Sequence, residues 1–249
     1  MASEKKPNAA NEPWAFDKPE AVLGKAVVDC HTHTYFSGDS NTSIDQYVTE
    51  FEKSGLTHVF VTDHQSIAAF PLLEERLGSR VICGQEQRVA EGEVIGLFLT
   101  HKIPPGLTLE DASKAIRDQG GIVYLCHPMD SKRFSVDLET LVSSAENRCL
   151  DAIELYNSKS ASINRQLIEI ARKFEIPMLG GSDSHVASAI GSSGAVMPWF
   201  DSAPDFLAAV KHATPFGRRC DPRKSWPLQV VPTTSNQDSE LAAGRESVL

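Results

Sequence analysis

The chain has 249 residues, 41 % of them hydrophobic and 23 % charged, which predicts one domain or two with a real core. Its 24 Lys and Arg against 33 Asp and Glu leave a formal charge of -9, a poor field for gripping long duplex nucleic acid, though local cations could still hold a small phosphorylated substrate. No apolar run is long enough to span a membrane, and the first residues lack the apolar core of a signal peptide, so a cytoplasmic protein is expected.

Residues 1–24 are rich in Pro, Asn, Ala and charge and read as a flexible tail; residues 25–220 read as the folded domain. Residues 221–249, polar and small from about Thr233 onward, read as a disordered extension. AVVDC (26–30) predicts a strand, and SIDQYVTEFEKSG a helix, with Ser43 and Gln46 as a capping box and Gly55 as its stop. THVFVTDH (57–64) predicts a strand and AAFPLLEERLG (68–78) a helix whose start Pro71 blurs. RVICGQEQR (80–88) and EVIGLFLT (93–100) predict strands, and TLEDASKAIRDQGG (108–121) a helix capped by Thr108. IVYLCHP (122–128), AIELYN (152–157) and PMLGGSDSH (177–185) predict strands with helices between them, and DFLAAVKHA (205–213) a last helix.

Strands alternating with helices predict an α/β fold with a mainly parallel sheet. Nearly every strand ends on a polar side chain: His31 and His33, Asp63 and His64, Glu86, His127, Glu154, Asp183 and His185. That edge is where parallel α/β folds build their sites, and in a barrel it forms one ring. No GxGxxG turn is present, so a barrel with one central site is the better fit.

His31-Thr32-His33 places two imidazoles on one side of a strand, half of a metal site, although many such triplets bind nothing. A lone histidine at a strand end is ordinarily a hydrogen-bonded residue. Five at four strand ends, with Glu86 and two aspartates, would be costly to bury unless paired or metal-bound. The donors suit Zn²⁺, Mn²⁺, Fe²⁺ or Mg²⁺ rather than copper. Glu86 could bridge two ions about 3.5–4 Å apart. The five cysteines are scattered without a CxxC pair and suggest neither a disulfide framework nor a thiolate zinc site; they read as small buried hydrophobes.

VDCHTHTYFSGDS, VFVTDH, VICGQEQ, LCHPMD, AIELYN and GGSDSH, in this order, resemble the successive motifs of the PHP (polymerase and histidinol phosphatase) family across about residues 25–220. The likeness is to its bacterial stand-alone phosphoesterases. It implies a distorted (β/α)7 barrel with up to three divalent ions at its C-terminal mouth. By this resemblance His31, His33, Glu86 and Asp183 hold the first metal, Glu86 and His127 the second, and Asp39, His64 and His185 the third. A plain turn role is the alternative for Asp39, in its Gly-Asp-Ser loop.

Many relatives have a further ligand histidine where this chain has Glu93, so either Glu93 ligates or the second site is depleted. His101 reads as an exposed loop residue, and Glu154 as a supporting acid at least as readily as a ligand.

The family activity is hydrolysis of a small phosphorylated substrate such as a nucleotide, an oligonucleotide end, or a sugar or histidinol phosphate. Its attacking group is a metal-bound hydroxide. His64 and His185 are candidate catalytic acids if left unligated, alongside a metal-bound water. Arg133, Lys159 and Asn157 are candidate substrate-binding residues, and Arg88 is a weaker one. Lys132 gets no role, and His58 and His212 read as structural or exposed. The alternatives are a metal-dependent amidohydrolase, whose bridging group is commonly a lysine, and a non-catalytic metal-stabilised scaffold. Oligomeric state is not legible.

Overall fold

The computed structural model describes residues 15–16, 24–160 and 163–220; the rest of the expected N-terminal tail and the expected extension 221–249 lie outside the described residues. A two-residue strand, β1 (Ala15–Phe16), precedes β2 (Lys25–Thr32), which is buried along its length apart from Lys25. The chain then runs through α1 (Ile44–Ser54), β3 (His58–Val61), α2 (Ala69–Leu77), β4 (Val81–Val89) and β5 (Gly92–Leu97). It continues as α3 (Leu109–Asp118), β6 (Ile122–Leu125), α4 (Leu138–Glu146), β7 (Ala152–Asn157), α5 (Arg165–Lys173) and β8 (Met178–Gly181). The last elements are β9 (Ser193–Pro198), α6 (Ala203–Ala209) and β10 (Thr214–Arg218).

Helix starts follow local chemistry. The Ser43 hydroxyl accepts from the Gln46 N–H while the Gln46 side chain accepts from the Ser43 N–H, and Gly55 ends α1 in the left-handed region. The side chains of Thr108, Asp137 and Asn164 each accept a backbone N–H at the start of α3, α4 and α5.

The sheet runs β1-β10-β9-β2-β3-β4-β5-β6-β7-β8. The expected mainly parallel sheet is mixed. β2–β3, β3–β4, β6–β7 and β7–β8 are parallel, but β5 is antiparallel to both its neighbours. The reason is the connection: only Ala90 and Glu91 join β4 to β5, too short for a helical crossover. β9 and β10, not foreseen as strands, extend the other edge of β2 with antiparallel pairing.

Beyond Val28 the partner of β2 changes. Asp183 N–H donates to His31 C=O at 2.7 Å and His33 N–H to Ser184 C=O at 3.0 Å, so the chain after β8 pairs with the end of β2. Seven strands, β2 to β8, thereby close a barrel, as the (β/α)7 expectation requires. The backbones approach too closely here for side chains. A Cβ on Gly180 would lie 2.5 Å from the Gly194 carbonyl, and one on Gly181 2.3 Å from Glu154 Oε1 and 2.4 Å from His31 Cβ.

One apolar cluster fills the barrel, including Val28, Phe60, Ile95, Leu97, Tyr124 and Leu179. Two others lie between sheet and helices, around Ile116, Leu141 and Leu167, and around Tyr47, Phe51 and Leu73. Among the described residues no helix is long and apolar enough to cross a membrane.

Candidate metal centre

Polar side chains collect at the mouth where the barrel closes, and breaks in strand regularity put them there. Ala26, Val28 and Cys30 face the barrel interior, so strict alternation would turn His31 outward. A register shift between Asp29 and Thr32 changes the phase, and both His31 and His33 reach the centre. Tyr124 and Cys126 are interior residues of the β6 run; His127, next in sequence, has φ 31° and is turned back onto the same centre. Asp183 also sits in the left-handed region, at φ 51°. Non-glycine residues held there are strained, and such strain persists where surrounding contacts enforce it. Glu93 arrives differently: because β5 runs antiparallel, its start lies at the mouth.

Glu86 stands in the middle. Its Oε2 lies 3.2 Å from His31 Nε2, 3.2 Å from His33 Nε2 and 3.1 Å from His64 Nδ1, and its Oε1 lies 2.9 Å from His127 Nε2. The two ring nitrogens of His31 and His33 are 3.0 Å apart, with Asp183 Oδ1 3.8 Å from the first and 3.5 Å from the second. On the other side Glu93 Oε2 is 3.8 Å from His127 Nε2. Asp39 Oδ2 lies 3.0 Å from His185 Nε2 and 3.4 Å from His64 Nε2, while Asp39 Oδ1 is buried with no hydrogen-bond partner among the described residues. All nine ligand candidates therefore gather at one mouth.

Donor chemistry fits divalent ions. Two N or O ligands about 2.1 Å from one ion, at right to tetrahedral angles, stand about 3.0–3.4 Å apart, close to the spacings around Glu86 Oε2. His31, His33 and Glu86 form one buried group of convergent donors; His33, His64 and His185 form a second, and His64, Glu86 and Glu93 a third.

The charges strain against one another when only protons neutralise them. Burial alone would raise the Glu86 carboxyl, but the imidazoles of His64 and His31 hold it well below the usual range. Burial would lower His31, yet Glu86 and Glu154 lift it to about 9; Glu86 and Asp39 likewise lift His64 to about 9. His33 and His185, buried and facing other cations, are pushed down, His185 to about 4. Burial and the Glu86 charge raise Glu93.

Further residues hold the donors. Glu154 is buried and has its carboxylate filled: Oε1 lies 3.1 Å from His31 Nδ1 and accepts from Tyr124 OH, and Oε2 accepts from the His127 N–H and the Asn157 amide. That is the supporting role, fixing the ring of one ligand and the backbone of another. Asp63 accepts from Ser37, whose hydroxyl lies 2.8 Å from His33 Nδ1, so it steadies His33 at one remove. Asn157 is engaged on all sides. Its amide donates to Glu154 and Asp183, and its oxygen accepts from Arg133 and the Lys159 N–H. Arg133 Nη1 and Lys159 Nζ both bond Asp183.

Arg88 is exposed and lies over the Phe134 ring, 4.4 Å from its centre. His101, Lys132 and His212 are exposed, and His58 packs against Trp199 and Phe200. One neighbour was not anticipated: Cys126 Sγ, 3.3 Å from Glu86 Oε1. Its only sequence signal is adjacency to His127.

A family model described as PHP-associated matches residues 162–215. An uncharacterised protein of Methanocaldococcus jannaschii is 30 % identical over 165 residues, 58 % of this chain and 94 % of that protein. A two-domain protein from Bacteroides vulgatus, described as containing a predicted PHP-like metal-dependent phosphoesterase, superposes with TM-score 0.66 at 19 % identity, covering 84 % of this chain and 68 % of that one. The chain belongs to the PHP family. A second uncharacterised M. jannaschii protein is 36 % identical to this PHP chain over 116 residues, 45 % of the chain and 49 % of that protein, so the match spans about half of that relative. A probable phosphatase of Syntrophotalea carbinolica is 25 % identical over 214 residues, 72 % of the PHP chain and 88 % of the relative.

Proposed function

We propose that this chain is a hydrolase, a metal-dependent phosphoesterase acting on a small phosphorylated molecule in the cytoplasm. Glu86 carries the reading: one carboxylate oxygen faces His31, His33 and His64 while the other faces His127, the disposition of a carboxylate shared between two ions. In this reading His31, His33, Glu86 and Asp183 would hold one ion; Glu86, His127 and Glu93 would hold a second; Asp39, His64 and His185 would hold a third. Zn²⁺, Mn²⁺, Fe²⁺ or Mg²⁺ suit these donors. Bound divalent ions supply Lewis acidity toward phosphoryl oxygens and a lowered water pKa, the two needs of an in-line displacement.

The chain's own residues do the rest. Arg133 and Lys159 stand at the mouth against Asp183, where two cations can orient a phosphate. Burial and the Arg133 charge bring Lys159 down to about 8, so it stays mostly cationic at neutral pH. Asn157 positions both, through its contacts to Arg133 and the Lys159 backbone, rather than touching substrate. Where only protons neutralise the site, His64 is lifted to about 9 by Glu86 and Asp39 and His185 is pushed down to about 4; either imidazole, left unligated, is the candidate proton donor to the leaving oxygen. The amidohydrolase alternative is not favoured, because a carboxylate occupies the bridging position. A nearly full set of donors at one mouth argues against a non-catalytic scaffold.

The test is phosphate release from a panel of nucleotides, 3′,5′-bisphosphates, short oligonucleotides and sugar phosphates, with Mn²⁺ or Zn²⁺ supplied. Hydrolysis of one class, abolished by a chelator and by Glu86→Gln, is expected. A metal-loaded chain that leaves the whole panel untouched would overturn the proposal.

A further inference from the structure

We propose that Cys126 Sγ is a ligand of the second metal position, beside Glu86 and His127, so that this position takes a thiophilic ion, zinc or iron(II), in preference to magnesium or manganese. The inference rests on the metal-dependent reading above and adds a donor to it. Glu86, Cys126 and His127 are all buried, and one donor atom from each lies within 4.8 Å of the others. Cys126 Sγ is 3.3 Å from Glu86 Oε1, which is itself 2.9 Å from His127 Nε2. A thiolate about 2.3 Å and a carboxylate oxygen about 2.1 Å from one ion, at right to tetrahedral angles, stand about 3.1–3.6 Å apart. The sulfur spacing falls in that window.

The backbone explains why two adjacent residues can serve one centre. Cys126 belongs to the interior cluster with Tyr124, and the positive φ of His127 turns the next side chain back to the same point. Glu93 Oε2 stands 3.8 Å from His127 Nε2, so the other donors at this position are carboxylates and one imidazole, and a thiolate would add a soft donor. On binding, the Cys126 S–H bond breaks, a sulfur–metal bond forms and the proton leaves to solvent; nothing is oxidised or reduced.

The competing role for Cys126 is an S–H donor that merely orients Glu86. X-ray absorption on the wild-type chain loaded with Zn²⁺ separates the two, with metal content measured on the same sample. A Zn–S distance near 2.3 Å is expected. In parallel, the Co²⁺-loaded chain is expected to show a near-ultraviolet thiolate-to-cobalt charge-transfer band that disappears in Cys126→Ser while the visible cobalt bands persist. Two or more zinc ions per chain surrounded by nitrogen and oxygen alone would overturn the assignment and leave the phosphoesterase reading intact. A chain that binds no metal would overturn both. The absorption measurement needs no variant, so it decides the question even if Cys126→Ser fails to fold.

Discussion

Glu86 meets four imidazoles with two oxygens, and no arrangement of protons satisfies them all. In the proton-only site His31 and His64 titrate near 9, above an ordinary histidine at 6.5, so both are charged at pH 7. Metal ligation needs them neutral. Metal uptake at pH 7 should therefore expel protons, and affinity should climb between pH 7 and 9 as the two imidazoles lose theirs. Calorimetric titration in two buffers of different ionisation heat reads this directly; binding without proton release at pH 7 would contradict it. Arg133→Ala should leave metal content unchanged but reduce kcat/KM on a phosphorylated substrate about 10- to 100-fold, the worth of one charged hydrogen bond. Steady-state kinetics beside metal analysis checks it. Gly181→Ala puts a methyl against both Glu154 and His31, and should cost on the order of 1–3 kcal/mol or more in thermal unfolding.

At the scale of elements, the barrel strands β2 to β8 and α1 to α3 were legible because their apolar periods are clean, and α1 and α3 carry side-chain caps. Ser43→Ala should remove the cap of α1 and cost about 1 kcal/mol, measured by denaturant unfolding. β9 and β10 were not legible: SGAVMP and TPFGR each carry a glycine and a proline, residues that argue against a strand. That the strand-end histidines gather with Glu86 and Asp183 was legible from residue type and position, Asp39 and Glu93 entered only through the family resemblance, and the geometry was not legible. The register shift in β2 and the left-handed backbone at His127 and Asp183 leave no mark in side-chain pattern. Cys126 is buried in the interior, as its apolar strand implies, with its sulfur turned to Glu86, and the candidate substrate contact Asn157 is engaged with its neighbours.

For the whole molecule, the donors are also the staples of the fold. His31 on β2 and His33 just past it pair with the chain after β8 to close the barrel, and His64 bridges to Glu86 beside β3 and β4. Ions held there would stabilise the folded state over the unfolded one, by about 2.7 kcal/mol for each site at a free-metal concentration 100 times its Kd. A chelator should lower the melting temperature by several degrees, with recovery on adding metal back; equal melting with and without metal would count against this coupling. The central claim is that side chains spread from His31 to His185 form a divalent-metal centre organised by Glu86. Metal content of the purified chain by plasma mass spectrometry, alongside Glu86→Gln, tests it most directly. Two or three divalent ions per wild-type chain, with at least one lost in the variant, is the result this account predicts; fewer than one ion per wild-type chain in metal-replete buffer would contradict it.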